Sequence, residues 1–225
     1  MRMRWHDLAF LHWPVEAAAL RRFIPPRLEL DTFEGQAWLG VTPFRMTGVR
    51  PRWLPAVPAM SAFAELNVRS YVTEGGKPGV WFLSLDAGNP LAVWVARRTF
   101  HLPYYRARMS CVANDGGVTY KSLRTHRGAP PASLVARYEP AGDVYRSRRG
   151  TLEHWLTERY CLYTVARGIL YRGEIDHAPW PLQAASVEIQ VNTMADETGV
   201  RLPGDPPQAH FARELDVVAW MLEQV

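Results

Sequence analysis

The chemistry open to this chain is set by a few ionisable side chains in unexpected places. Glu65 stands in the middle of Ala62-Phe-Ala-Glu-Leu-Asn-Val-Arg-Ser-Tyr-Val, a run whose apolar and β-branched residues read as a strand. Alternation places Phe63, Glu65, Asn67 and Arg69 on one face. If that face is buried, the carboxyl is a candidate general acid or base. If it is solvated, Glu65 with Arg69 or Asn67 forms an ordinary polar row, and the residue types leave both readings open. A second polar run, Thr157-Glu-Arg-Tyr-Cys-Leu-Tyr, carries Glu158 and Tyr160 on one face and Arg159, Cys161 and Tyr163 on the other. A third, Ile175-Asp-His-Ala-Pro-Trp, brings His177 and Trp180 to a place where they could line a pocket. Core packing or capping between helix and strand explains these last two runs equally well.

Covalent imine chemistry needs a lysine amine kept neutral by desolvation or by a neighbouring cation. The chain has two lysines. Lys77 falls in Gly-Gly-Lys-Pro-Gly, an exposed turn, and Lys121 in the middle of a strand whose alternation does not fix its direction; solvated amines are expected at both. Seven histidines raise the question of a metal, but no HxH, HExxH or paired CxxC spacing is present. His6 and His12, if they share one side of a strand, stand roughly 20 Å apart and cannot chelate one ion. No GxGxxG, GxxxxGK[ST] or GxSxG element occurs. No metal and no cofactor are expected.

Holding such groups requires a rigid frame, and the frame reads as mostly strands. Pro14 followed by Val15-Glu-Ala-Ala-Ala-Leu-Arg-Arg-Phe predicts a short helix burying Leu20 and Phe23, ended by Pro25-Pro26. Strands are expected over 36–49, 63–72, 79–85, 106–113, 118–125, 160–166, 169–177, 184–191 and 212–221. Thr73-Glu-Gly-Gly-Lys-Pro and Asn114-Asp-Gly-Gly signal two hairpins, and the proline-rich run 51–58 a loop. Asn89-Pro90 reads as a helix cap with proline at the first helical position. That helix would carry Leu91, Trp94 and Val95 on one side and end near Arg97 and Arg98. A shorter helix is expected over 151–157. One domain spanning 1–225 follows, an antiparallel barrel or strongly curved sheet with a few short helices.

Composition excludes several classes. At 48% apolar and 21% charged residues the chain is an ordinary globular one, and no run approaches the length needed to cross a bilayer as a helix. The apolar stretch after the basic start is broken by His6, Asp7, His12 and Pro14, so it does not read as a secretory signal. Cys111 and Cys161 form no CxxC pair, and reduced thiols in a cytoplasmic setting are expected. The net charge of +4 invites nucleic acid as a partner. The arginines are dispersed, however, and the densest group, Arg146, Arg148 and Arg149, has no stacking aromatic ladder, so neither nucleic acid nor membrane is expected.

Several segments then fall in a recognisable order. Leu20-Arg-Arg-Phe-Ile-Pro-Pro-Arg-Leu-Glu-Leu resembles the early segment of the acetoacetate decarboxylase-like superfamily, and Phe63-Ala-Glu-Leu-Asn-Val its glutamate-bearing strand. Ala92-Val-Trp-Val-Ala-Arg-Arg-Thr-Phe-His-Leu-Pro-Tyr-Tyr resembles the helix and Gly-Arg-Glu…Pro-Lys-Lys segment that carries that family's reactive lysine. Trp5, Phe10-Leu-His-Trp-Pro, Leu30-Asp-Thr-Phe-Glu-Gly, Pro43-Phe, Thr157-Glu-Arg-Tyr and His177-Ala-Pro-Trp are similar to the YqjF-like branch, a domain of unknown function. That likeness covers essentially the whole chain, whereas likeness to the decarboxylases themselves is concentrated in residues 5–110. The resemblance implies that Glu65 takes the place of the active-site glutamate and that Arg97 matches the arginine of Gly-Arg-Glu. It also implies that Arg98 replaces the glutamate, that Tyr104 and Tyr105 stand where the two lysines would be, and that His6 falls near a substrate-facing arginine. A phenol forms no iminium, so Schiff-base decarboxylation is not expected.

The function expected is therefore binding of a small carbonyl or carboxylate compound. On one reading it is an enzyme working by non-covalent acid/base chemistry through Glu65, Tyr104 and Arg97, with His6, Tyr105, Tyr160, His177 and Trp180 contacting the substrate. On the other it is a non-enzymatic module holding an apolar or aromatic ligand in the barrel lumen. A scaffold role has only the tendency of barrels to form homo-oligomers behind it.

Overall fold

The structure is a computed structural model that describes residues 1–51, 61–114, 116–202 and 204–225. The chain runs β1 (Arg2–Val15), α1 (Ala17–Arg21), β2 (Glu29–Leu30), β3 (Ala37–Arg50), β4 (Phe63–Glu74), β5 (Lys77–Ala87) and α2 (Pro90–Thr99). It continues with β6 (Tyr104–Asn114), β7 (Gly117–Arg124), β8 (Ser133–Tyr145), α3 (Leu152–Thr157), β9 (Cys161–Ala166) and β10 (Ile169–Asp176). β11 (Leu182–Asn192), a 3-10 turn (Asp196–Thr198), β12 (Gln208–Ala219) and β13 (Glu223–Gln224) complete it. Of the expected proline-rich loop, residues 52–58 lie outside the described residues.

Among the described residues, all thirteen strands belong to one strongly curved sheet rather than a regular barrel. Pairing passes from β5 through β6, β7, β8, β11, β12, β1, β3 and β4, and β4 pairs back onto β5. The β9–β10 hairpin makes a second path between β5 and β12, so the sheet branches. β5 is the branch point: Val80 and Trp81 pair with Leu162 and Tyr163 of β9, while Leu85 to Ala87 pair with Tyr104 to Arg106 of β6. These two short pairings are parallel; the others are antiparallel. Gly79 is required at the branch, because a Cβ there would lie 2.7 Å from Cys161 Sγ and 2.9 Å from the Cys161 carbonyl.

The local signals act as their chemistry demands. Gly75 and Gly76 both take positive φ in the β4–β5 turn, which a two-residue hairpin turn needs. Asn89 accepts from the N–H groups of Leu91 and Ala92 at the start of α2, and Thr151 caps α3. Pro14 departs from expectation. It lies in β1 opposite Trp38, beyond the last β12 partner, where no ladder donor is missed, and the helix begins only at Ala17. In α2, Val93 is the buried residue, Ala92, Val95 and Ala96 face inward, and Leu91 and Trp94 are turned to solvent.

Asp7 sets the geometry of the first strand. Its φ of 51° is a left-handed conformation that aspartate tolerates better than most side chains, and the β1–β3 register slips between His6 and Leu11. Side-chain alternation reverses there. Met3 and Trp5 before the bulge pack with Leu8 and Phe10 after it, against Phe44, Met46 and Trp180. Ala9, Leu11 and Trp13 face the main core with Val41, Val68, Tyr120 and Tyr138. One side of the fold is thus filled by close-packed side chains. No helix among the described residues is long and apolar enough to cross a membrane.

Candidate functional site

The other side encloses a cavity of about 350 Å³. Strands β1, β3, β4, β5, β9, β10 and β12 contribute to its walls, and α2 supplies Ala92, Val95 and Ala96. Most of the lining is apolar, which is what makes the polar exceptions informative.

The β4 face forecast by alternation is one of these walls: Phe63, Glu65, Asn67 and Arg69 all line the cavity. Glu65 is 3% exposed and makes no ion pair with Arg69 among the described residues. The Tyr104 hydroxyl donates to it, lying 3.1 Å from Oε1 and 3.0 Å from Oε2, and the Asn67 side chain donates as well. Burial pushes the Glu65 carboxyl up to about 8, against the opposing pull of these two donors. Burial, and then the Glu65 charge, hold the Tyr104 phenol well above the usual tyrosine range. Near pH 7 about nine-tenths of Glu65 therefore carries its proton. Glu65 is placed from behind by core packing, since the Tyr120 hydroxyl donates to its backbone carbonyl at 2.6 Å.

Three expected site residues lie elsewhere. Arg97 is exposed and donates to the Tyr104 carbonyl at 2.6 Å, so it steadies the backbone behind Tyr104 without reaching the cavity. Tyr105, one residue on from Tyr104 in β6, necessarily points the other way. Its ring lies under Arg124 at 4.2 Å and edge-on to His126. His6 sits just before the Asp7 bulge on the face away from the cavity, 2.7 Å from Thr47 Oγ1. The same reversal separates His6 from His12, which lies buried 2.7 Å from the Tyr71 hydroxyl.

The remaining three gather at one place, though only two touch the cavity. His177 and Trp180 line it, with ring centroids 5.0 Å apart. Tyr160 stacks on His177 at 4.6 Å from behind and donates to Glu158. His177 Nδ1 lies 2.8 Å from the Ala178 carbonyl, which requires the proton on Nδ1 and leaves Nε2 an acceptor. Burial lowers its pKa and keeps the ring neutral.

Sequence reasoning passed over several polar lining residues, among them Thr42, Asn67, Arg69 and Arg159. Thr42 Oγ1, Asn67 Oδ1, Arg69 Nε and Arg159 Nη2 are buried with no hydrogen-bond partner among the described residues. Asn67 and Arg69 shared the Glu65 face in the alternation, and this was the available signal. Neither lysine lines the cavity. Lys77 pairs with Glu174, and Lys121 is exposed on β7. No cluster of three metal-binding side chains occurs among the described residues.

Comparison with known proteins agrees with this architecture. A family described as an uncharacterized conserved protein, DUF2071, matches residues 2–216. The uncharacterized protein YqjF of Bacillus subtilis (strain 168) is 46% identical over 224 residues, covering 100% of this chain and 92% of that protein. Among solved structures, an acetoacetate decarboxylase superposes with a TM-score of 0.68 at 12% identity, over 100% of this chain and 89% of the other. The enduracididine biosynthesis enzyme MppR, in complex with pyruvate, superposes with a TM-score of 0.66 at 11% identity, over 99% and 89%. At such identities the solved structures share the fold.

Proposed function

The chain belongs to the DUF2071 family, and from that premise we propose that it binds a small carbonyl or carboxylate compound in the cavity and moves a proton on it without covalent attachment. The observation that carries the reading is the contact of the Tyr104 hydroxyl with both Glu65 oxygens in a mostly apolar cavity. A protonated Glu65 donates to a ligand oxygen as negative charge develops there, and Tyr104 and Asn67 stabilise the carboxylate that remains. In the reverse direction the carboxylate takes a proton from carbon or oxygen. An imine route has no lysine in the cavity lining, since Lys77 is paired with Glu174 and Lys121 is exposed on β7. The fold-level likeness to a decarboxylase and to a pyruvate-binding enzyme supports a small-molecule site and is analogy only.

The apolar walls favour a second reading, a container without turnover. The two separate on exchange of α-protons for deuterium in a panel of small oxo acids and ketones, followed by proton NMR. The enzymatic reading expects at least one compound exchanged by the wild type and not by Glu65→Gln. Equal exchange by both proteins, or none by either, would refute it.

A further inference from the structure

The cavity has two polar ends, and the second is cationic. Arg69 stands on the same β4 face as Glu65, four residues on, which puts the two Cα atoms roughly 13 Å apart. Its guanidinium lies 5.3 Å from the centroid of Phe10, another cavity residue. Its Nη2 makes one long bond, 3.3 Å, to the Leu156 carbonyl, its side chain also hydrogen-bonds Tyr71, and Nε is buried without a partner among the described residues. No carboxylate lies within ion-pairing distance of Arg69 among the described residues.

The charges around it are committed elsewhere. Arg159, also in the lining, pairs with Asp31 at 2.6 Å and donates to the Trp155 carbonyl, while its Nη2 stays free. Glu158 accepts from the Trp180 N–H and the Tyr160 hydroxyl. Glu174 is held by Lys77 and Arg172. Asp31 offsets Arg159, whereas Arg69 has no carboxylate of its own beside the neutral His177, on which both it and Glu158 act only at longer range. A half-buried cation with unused donors in an apolar wall is costly unless something anionic meets it. The unpartnered Arg69 Nε, together with the unpartnered Nη2 of Arg159, fits a carboxylate.

We infer that Arg69, backed by Arg159, is the seat of a ligand carboxylate, and that the ligand is an elongated monoanionic oxo acid. Its apolar chain would run along the tryptophan-lined wall and present its carbonyl to Glu65. This rests on the proposed function for the Glu65 end. With the guanidinium drawn toward Phe10, Tyr71 and the Leu156 carbonyl, the separation favours an acid longer than three carbons. A single guanidinium without a carboxylate partner, in mostly apolar surroundings, argues for a monoanion over a doubly charged phosphate.

The test is calorimetric titration of the full chain with 7-oxooctanoate and with its methyl ester, which is neutral and otherwise alike. Wild type should bind the acid about tenfold or more tightly than the ester, the range expected for a charge-assisted pair. Arg69→Gln should erase that preference while changing ester affinity little, and Glu65→Gln should keep it. Ester binding with no preference for the acid in wild type would overturn the seat and leave the cavity reading standing. The wild-type comparison requires no variant to fold. Equal loss of acid and ester in Arg69→Gln, with that variant's melting temperature unchanged, would make Arg69 a packing residue and also overturn the seat. If the preference persists while Glu65→Gln exchanges the ketone's α-protons as fast as wild type, the seat survives and the acid/base reading falls. Binding of neither probe would overturn the seat and leave the acid/base reading to the exchange panel.

Discussion

Replacing Glu65 by glutamine should stabilise the protein, and the gain should grow with pH. The carboxyl titrates at about 8 in the folded chain against an ordinary value of 4.5, a rise worth roughly 5 kcal/mol at about 1.36 kcal/mol per unit. Below pH 4.5 both folded and unfolded chains hold the proton, and the site costs nothing electrostatically. Between 4.5 and about 8 the unfolded chain releases the proton while the folded chain keeps it, so stability falls as pH rises. Above about 8 the whole penalty is present. Glutamine does not titrate, and it retains an oxygen to accept from Tyr104. Asn67, whose Oδ1 has no partner, can turn its amide to accept from the new NH₂. Other ionisable groups are common to both proteins and cancel in the difference. Urea unfolding of the two proteins at pH 5, 7 and 9 should show a gap of less than about 1 kcal/mol at pH 5, opening to several kcal/mol at pH 9. Parallel curves across that range would mean that Glu65 titrates like a solvated carboxylate, and the argument from burial would be wrong.

Three further outcomes can be checked with standard assays. Borohydride treatment in the presence of acetoacetate should leave the intact mass unchanged, since Lys77 and Lys121 are both at the surface; a stoichiometric adduct at either lysine would contradict this. Gly79→Ala should cost about 1–3 kcal/mol in urea unfolding, because its Cβ meets the backbone of Cys161 at the branch of the sheet. Arg124→Met should cost more, about 3–5 kcal/mol, by leaving Asp86 buried without its 2.8 Å partner. A loss under 1 kcal/mol would show that water reaches Asp86.

How far the sequence reveals this site depends on where alternation holds. In β4 it runs unbroken from Phe63 to Arg69, and the cavity face follows from it directly. In β6 it tells Tyr104 from Tyr105 once the strand's start is known, but not before. In β1 it fails, because the left-handed Asp7 reverses the pattern, and nothing about an aspartate in a strand announces that it will. His6, expected near the substrate from the resemblance, stands before this reversal and faces Thr47 instead. Arg97 is expected at the site because the resemblance matches it to the arginine of Gly-Arg-Glu. The helix instead aims it outward, while Arg69, read as part of a possible surface row, lines the cavity. β8, from Ser133 to Tyr145, carries too many small and polar residues to stand out as a strand. It is held by its neighbours β7 and β11 rather than by its own propensity. The branching of the sheet at β5 is a matter of tertiary pairing, and no local signal encodes it.

The most direct test of the acid–phenol pair is the titration of Glu65 itself, by carbon-13 NMR on glutamate-labelled protein with the resonance assigned by its loss in Glu65→Gln. A midpoint near pH 8 is expected, moving upward by roughly one unit in Tyr104→Phe as a donor to the carboxylate is lost. A midpoint between 4 and 5, unmoved by Tyr104→Phe, would contradict the pairing and with it the chemistry proposed for the cavity.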